Sequence, residues 1–314
     1  MPLSGFICDA LDAPIAVTDC LACARQGALP GCHQTAPVIA GILRGLRPDD
    51  PAAALQAGLG LTVTTLISCV RKARLMRNTT YWLKPAHAYW AYRGQLMHGV
   101  AAQYAAEAEQ IVAEQRFAMT VSLADGQRIH VTGQPDLVLA DRRHVIDFKT
   151  TKSVPTHWRR YICPETDQLI SEGLYALRRK WIECPHCAPG RHEVKTIEVT
   201  SEPRAKLHHV LQLSLYRLLL HRNGLEVETG EIIYQDMDTQ CRVAVDLLSL
   251  VDTERYLMER VTLAAQAELP PILIDEAELW QCGFCPAHDE CERIHGGPVG
   301  KAAQPKTINP LEEV

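Results

Sequence analysis

The chain has 314 residues, enough to bury a core in one large domain or two modest ones. Its 47% hydrophobic and 22% charged residues exclude a disordered or fibrous polypeptide, and no apolar run approaches the length of a membrane span. A net charge of −5 excludes nucleic-acid binding through overall charge, so such a role needs a local basic groove.

Three basic clusters could build that groove: Arg71, Lys72, Arg74 and Arg77; Arg159 and Arg160; and Arg178, Arg179 and Lys180. Read singly, each is equally a solvated face. Met1 to Ala13 contains Asp9 and Asp12 and no basic stretch, so a secretory signal is not expected and the default location is cytoplasmic. In that compartment the 12 cysteines read as metal ligands rather than disulfides.

In chain order, residues 1–40 read as loop-rich and carry Cys8, Cys20, Cys23 and Cys32. Residues 52–59 form a short Ala-rich segment, and 61–66 lead into a helix that bears Cys69 and the first basic cluster. Residues 89–115 are expected as one long helix, with Leu96, Val100, Tyr104 and Ala105 at helical spacing and His98 on it. At Phe117 the period changes. Residues 117–123 and 128–132 form a hairpin around Asp125-Gly126, a strong turn signal, and 133–140 and 144–150 continue the sheet. An insertion at 155–195 holds Cys163, a helical stretch at 169–181, and Cys184-Pro185-His186-Cys187. There follow a strand at 195–200, an apolar helix at 208–221 with Gln212 and Tyr216, strands at 231–237 and 241–245, an amphipathic helix at 247–268 and a Cys-rich turn at 280–291. This divides the chain into a Cys-rich segment 1–45, a core 46–295 and a mobile tail 296–314.

The strand pair at 133–150 carries the chemistry. Asp136 lies on the first strand, while Asp147 and Lys149, two apart on the second, share a face. Two carboxylates and the Phe148 carbonyl supply oxygens suited to Mg²⁺ or Mn²⁺, and His98 would add a nitrogen that favours Mn²⁺. Lys149 would stabilise negative charge developing on a phosphate. Alone, Asp-x-Lys on a strand is common and an exposed pair of little consequence. Its context is not common: Gln212 and Tyr216, four apart on one face of an apolar helix, need a partner or a role.

The order Gly94-x-x-x-His98, Gly133-x-x-Asp136, Asp147-x-Lys149, Gln212-x-x-x-Tyr216 resembles the RecB-type branch of the PD-(D/E)xK nuclease superfamily over roughly residues 60–295. The resemblance implies an α/β, restriction-endonuclease-like mixed central sheet flanked by helices. It implies His98, Asp136 and Asp147 as metal ligands, Lys149 as catalytic lysine, and Gln212 and Tyr216 as groups orienting the site and DNA. The expected activity is a metal-dependent DNA nuclease, an exonuclease on single-stranded DNA or ends with endonuclease action also compatible. Partners would be DNA and proteins of recombination, repair or CRISPR adaptation. The alternative is a non-catalytic DNA-binding, scaffold or iron–sulfur regulatory protein that keeps the fold.

Cys282, Cys285 and Cys291 are three close thiols without a local fourth, and Cys69 lies far upstream before basic residues. This resembles the iron–sulfur subgroup of the same branch, which includes CRISPR-associated and AddB-like nucleases. It implies a [4Fe–4S] cluster on Cys69, Cys282, Cys285 and Cys291, stapling distant parts of the chain. Spacing alone is equally met by a Cys₄ zinc site. Cys20, Cys23 and Cys32 with Cys8 or His33 read as one zinc set, and Cys163, Cys184 and Cys187 with His192 or His186 as another. Cys241, within a strand, reads as a buried thiol. Arg159, Arg160, Arg178 and Arg179 could contact phosphates, and Trp158, Tyr161 and Tyr175 could stack on bases or pack in the core.

Overall fold

The computed structural model describes residues 3–32, 34–46, 60–78, 81–83, 110–151, 158–174, 181–184, 187, 191–193, 195–199, 204–236, 238–272, 281–283, 285–297 and 299, together with 85, 92, 94, 96, 99 and 103. The chain is mixed α/β and divides into two units. The first comprises residues 1–96, 116–133 and 250–314, the second 97–115 and 134–249.

The first unit begins with a three-stranded sheet. Leu3–Cys8 is central, antiparallel to Ala13–Ala16 and parallel to Tyr81–Leu83. A turn at Cys8 closes the hairpin, with the Asp12 N–H donating to the Cys8 carbonyl at 2.8 Å. The helices Val17–Arg25 and Ala36–Leu46 pack Ile39 and Ile42 onto Phe6. Residues 1–40 are therefore more regular than the loop-rich expectation. Strands this short carry little alternation of their own, and their pairing is decided by tertiary contact.

The second sheet of this unit has Arg128–Gly133 between Phe117–Ser122, antiparallel, and Gly60–Thr62, parallel. Its hairpin forms where Asp125-Gly126 predicts. Gly126 takes a φ of +85°, open to glycine at little cost, and the Asp125 carboxylate accepts the Gln127 N–H at 2.9 Å. Thr62 then caps the short helix Val63–Ile67, its hydroxyl accepting the Thr65 N–H at 3.0 Å. The chain bends at Ser68 and Cys69 before the helix Val70–Asn78 begins.

Buried cations hold that bend. Arg260, on the helix Leu250–Ala265, donates to the Leu66 carbonyl at 2.7 Å and to the Ser68 carbonyl. Arg74 reciprocates, donating to Ala264 and Gln266 carbonyls at 3.0 and 2.7 Å, and Arg71 reaches the Pro270 carbonyl at 3.2 Å. Helix ends leave such carbonyls without internal partners, and a charged donor contributes about 1.5–3 kcal/mol per bond. Arg71 and Arg74 thus build the first unit rather than a basic groove.

The second unit is built on a five-stranded mixed sheet in the order Gln240–Val245, Thr229–Gln235, His144–Thr150, Leu137–Leu139, Ile111–Ala113. Thr229–Gln235 runs parallel to His144–Thr150, and the other pairings are antiparallel. A parallel pair needs a crossover, and the helix Leu207–Arg222 lies within it. Between these strands the insertion forms two small antiparallel sheets. In one, Trp158–Ile162 lies between Leu169–Leu174 and Lys195–Val199; in the other, Trp181–Glu183 pairs with Arg191–Glu193.

Three expectations are corrected here. The described start of the 169–181 stretch is strand, not helix, because the tight turn from Cys163 to Gln168 folds Leu169–Leu174 back onto Trp158–Ile162. The end of the 89–115 helix is the strand Ile111–Ala113, whose β-branched Ile111 and Val112 suit a sheet edge beside Leu137–Leu139. The strands at 137–139 and 144–150 belong to a different sheet from the 117–133 hairpin. Among the described residues, no helix is long and apolar enough to cross a membrane.

Candidate metal and catalytic sites

Alternation along His144–Thr150 sorts its side chains onto two faces. Ile146 and Phe148 join an apolar cluster with Leu137, Ile111 and Ile233. Val145, Asp147 and Lys149 point the other way, in register with Gly230, Ile232 and Tyr234 of the parallel neighbour. The helix Leu207–Arg222 covers this face. A Cβ on Gly230 would stand 3.0 Å from Leu247 Cδ2 and 3.4 Å from Leu213 Cδ1, so glycine permits the close approach of Leu213 and Leu247.

Both acids are buried, Asp136 to 3% and Asp147 to 1% exposure. Carboxylates persist at such depth only when other groups hold them. Asp136 Oδ2 accepts the Phe148 N–H at 2.7 Å, and Lys149 Nζ lies 2.5 Å from Asp147 Oδ2. A strand residue sends its N–H and C=O toward the same edge, so the Phe148 carbonyl also faces the Asp136 side.

From the covering helix, Gln212 Nε2 donates to Tyr216 Oη at 3.0 Å. Burial, then the charges of Asp147, Asp136 and Glu114, push the Tyr216 phenol far above its ordinary range, against the Gln212 hydrogen bond. Tyr216 is therefore a neutral hydroxyl facing an acidic cluster. The structure brings together Asp136, Asp147, Lys149, Gln212 and Tyr216; His98 lies outside the described residues.

Glu114 is the residue that sequence reasoning missed. It follows the strand Ile111–Ala113 with a φ of +52°, a left-handed conformation that non-glycine residues adopt at some cost. Its N–H donates to the Asp136 carbonyl at 3.3 Å, and Gln134 Nε2 donates to its carboxylate at 2.5 Å. Within the helix expected at 89–115, Glu114 carries no site signal of its own. The β-branched pair Ile111-Val112 just before it was the available signal.

Next to Lys149, His209 Nδ1 lies 2.7 Å from Tyr234 Oη, which accepts the Lys206 N–H at 3.0 Å. The phenol and the imidazole thus share one hydrogen bond. Burial, then Lys149, His208 and Lys206, hold His209 far below the usual histidine range, and burial pushes Tyr234 up to about 12. The unfolded chain takes up a proton at His209 near the ordinary value of about 6.5, while the native site does not. Stability should therefore fall as pH drops below that value, by up to about 1.4 kcal/mol per pH unit. Urea unfolding at pH 7.5 and 5.0 checks this: His209→Phe should shrink the difference, and an unchanged difference counts against it.

In the first unit, Cys69, Cys282, Cys285 and Cys291 line one pocket with Lys72 and His288. Burial, then the thiols of Cys285, Cys69 and Cys291, push Cys282 up to about 11. Cys285 is raised by burial, with Lys72 opposing. Arg71 Nε donates to Cys291 Sγ at 3.1 Å.

The other cysteines separate. In the first unit, Cys8, Cys23 and Cys32 lie close enough to Cys20 to help burial push it up to about 11. In the second, Cys163, Cys184 and Cys187 have sulfurs all within 4.8 Å of one another, and this triad could hold a metal ion. His33 and His186 lie outside the described residues, as does the side chain of His192. Cys241 is half-buried rather than buried, because its strand Gln240–Val245 is the sheet edge. Arg159 and Tyr161 are buried and so unavailable to DNA, whereas Arg160 is exposed. The Trp158 side chain, Tyr175 and residues 178–180 lie outside the described residues.

No protein-family model matches the sequence, and no curated protein matches it. Among solved structures, the crystal structure of SSO0001 matches with 15% identity and a TM-score of 0.46, covering 81% of this chain and 93% of that one.

Proposed function

We propose that this chain is a divalent-metal-dependent DNA nuclease of the PD-(D/E)xK type, with a restriction-endonuclease-like second unit, acting on single-stranded DNA or DNA ends. One observation carries the reading. Two buried acids, Asp136 at the bend just before the strand Leu137–Leu139 and Asp147 on its neighbour His144–Thr150, the latter ion-paired to Lys149 at 2.5 Å, stand under a helix that presents Gln212 and Tyr216.

The donor set fits a hard cation. Asp136, Asp147 and the Phe148 carbonyl offer oxygen ligands, and Glu114 adds a third carboxylate. A bound Mg²⁺ or Mn²⁺ supplies Lewis acidity toward the phosphate and a strong nucleophile at neutral pH. The protein's part is positioning and charge. The Phe148 N–H fixes Asp136, and Asp147 holds the Lys149 ammonium where negative charge grows on the scissile phosphate. Neutral His209 adds no second positive charge beside Lys149, so the ammonium keeps to Asp147 and the phosphate. Tyr216, its oxygen engaged by Gln212, retains a proton to donate toward the acids or a DNA oxygen. The decisive assay is metal-dependent cleavage of single-stranded and duplex DNA by wild type and Asp147→Asn.

Glu114 gives a second, milder handle. Glu114→Gln should raise the metal concentration for half-maximal cleavage roughly 10–100-fold while largely sparing the rate at saturating metal. A metal titration of the cleavage rate checks this, and an unchanged midpoint would remove Glu114 from the site.

The pocket of four thiols supports a [4Fe–4S] cluster as structural cofactor. It gathers four cysteines from two distant stretches, as a cluster requires. Lys72 and the Arg71 hydrogen bond to Cys291 offset the negative charge that four thiolates bring.

A further inference from the structure

Among its described residues, the insertion of the second unit shows little core. Its sheets leave Leu169 48%, Trp181 49% and Ile197 38% exposed. Its deepest described side chains include Tyr161, Cys163 and Cys184. Segments built this way usually depend on a cross-link or a metal.

The cysteines follow two strand ends in like sequences. Cys163-Pro164-Glu165-Thr166 follows the strand Trp158–Ile162, and Cys184-Pro185-His186-Cys187 follows Trp181–Glu183. In the first turn, the Gln168 carbonyl accepts the Cys163 N–H and the Cys163 carbonyl accepts the Asp167 N–H, both at 2.9 Å. This folds the backbone around the sulfur, so that the N–H groups of Glu165 and Thr166 and the Thr166 hydroxyl point at Cys163 Sγ. Thr166 stands three residues after Cys163, as Cys187 does after Cys184, so the two like sequences carry three thiols instead of four. Cys163 and Cys187 sulfurs are 3.1 Å apart, and the Glu165 carboxylate hydrogen-bonds Cys187 beside the open position.

We propose that Cys163, Cys184 and Cys187 hold one structural zinc ion that joins the ends of the strands Trp158–Ile162 and Trp181–Glu183 and so staples the insertion. Three soft sulfurs within 4.8 Å match the spacing of about 3.8 Å that one tetrahedral zinc imposes. The zinc serves the fold of this segment, so the inference does not depend on the nuclease reading.

The full-length protein, purified without added metal, should contain about one zinc per chain attributable to this site, released by a thiol-blocking mercurial. Cys184→Ser should lose that zinc and keep its iron, whereas Cys282→Ser should lose iron and keep the zinc. Because a serine variant can fail to fold, cobalt exchange into the wild type gives an independent reading. The visible bands of tetrahedral thiolate-bound cobalt should appear in wild type and in Cys282→Ser. Wild type lacking zinc, zinc unchanged in folded Cys184→Ser, or a Cys163–Cys187 disulfide found in the native protein by mass spectrometry would each overturn the proposal.

Discussion

Asp147→Asn should reduce metal-dependent DNA cleavage about 10³-fold or more while leaving a folded protein. The size follows from two losses at one atom pair. The substitution removes a charge from a site with 1% exposure, where little water is present to replace it as a ligand. It also releases the Lys149 ammonium, now 2.5 Å from Asp147 Oδ2, from the position it holds. Misplacing one preorganised charge in a dry site typically costs about 10²–10³ in rate, and the metal loss adds to it. Lys149→Met isolates the second loss and should fall about 10²–10³-fold with metal affinity nearly unchanged. Asparagine keeps the shape, so thermal unfolding beside the assay separates chemistry from collapse. If wild type and Asp147→Asn are equally inactive with Mg²⁺ and Mn²⁺ on single strands and duplex ends, the scaffold reading replaces the enzyme.

The sequence showed most of this site because its chemistry is local. Asp147-x-Lys149 shares a face in any strand, and Gln212 and Tyr216 share a face in any helix, whatever surrounds them. Asp125-Gly126 likewise carries its turn within itself. What stayed hidden depends on partners distant in the chain. Glu114 joins the acids only because Ile111–Ala113 pairs with Leu137–Leu139, and nothing within residues 105–115 announces that pairing. Arg74 reads in sequence as part of a basic cluster or a solvated face, yet it and Arg260 each meet the exposed carbonyls of a helix end some 190 residues away. Leu169–Leu174 has helix-compatible residues, yet the turn at Cys163 decides its state. Short-range patterns mark the candidate residues; long-range pairing decides which others lie beside them.

The second large effect concerns the pocket of four cysteines. Cys282→Ser should lose essentially all iron and visible colour and lower the thermal midpoint by roughly 10 °C or more. The estimate rests on chain entropy: a cross-link closing a loop of well over a hundred residues, as between Cys69 and Cys282, contributes roughly 5 kcal/mol. Burial sharpens the effect, because Arg71 Nε donates to Cys291 Sγ and Lys72 lines the same pocket. Without a cluster these cations face each other with less negative charge between them. Iron content, the visible spectrum and the melting midpoint of wild type and variant test this together. A colourless wild type carrying zinc alone in this pocket would replace the cluster with a Cys₄ zinc site. The nuclease reading would then stand or fall on Asp147, whose chemistry uses none of these sulfurs. A folded Cys282→Ser that kept its iron would remove Cys282 from the ligand set.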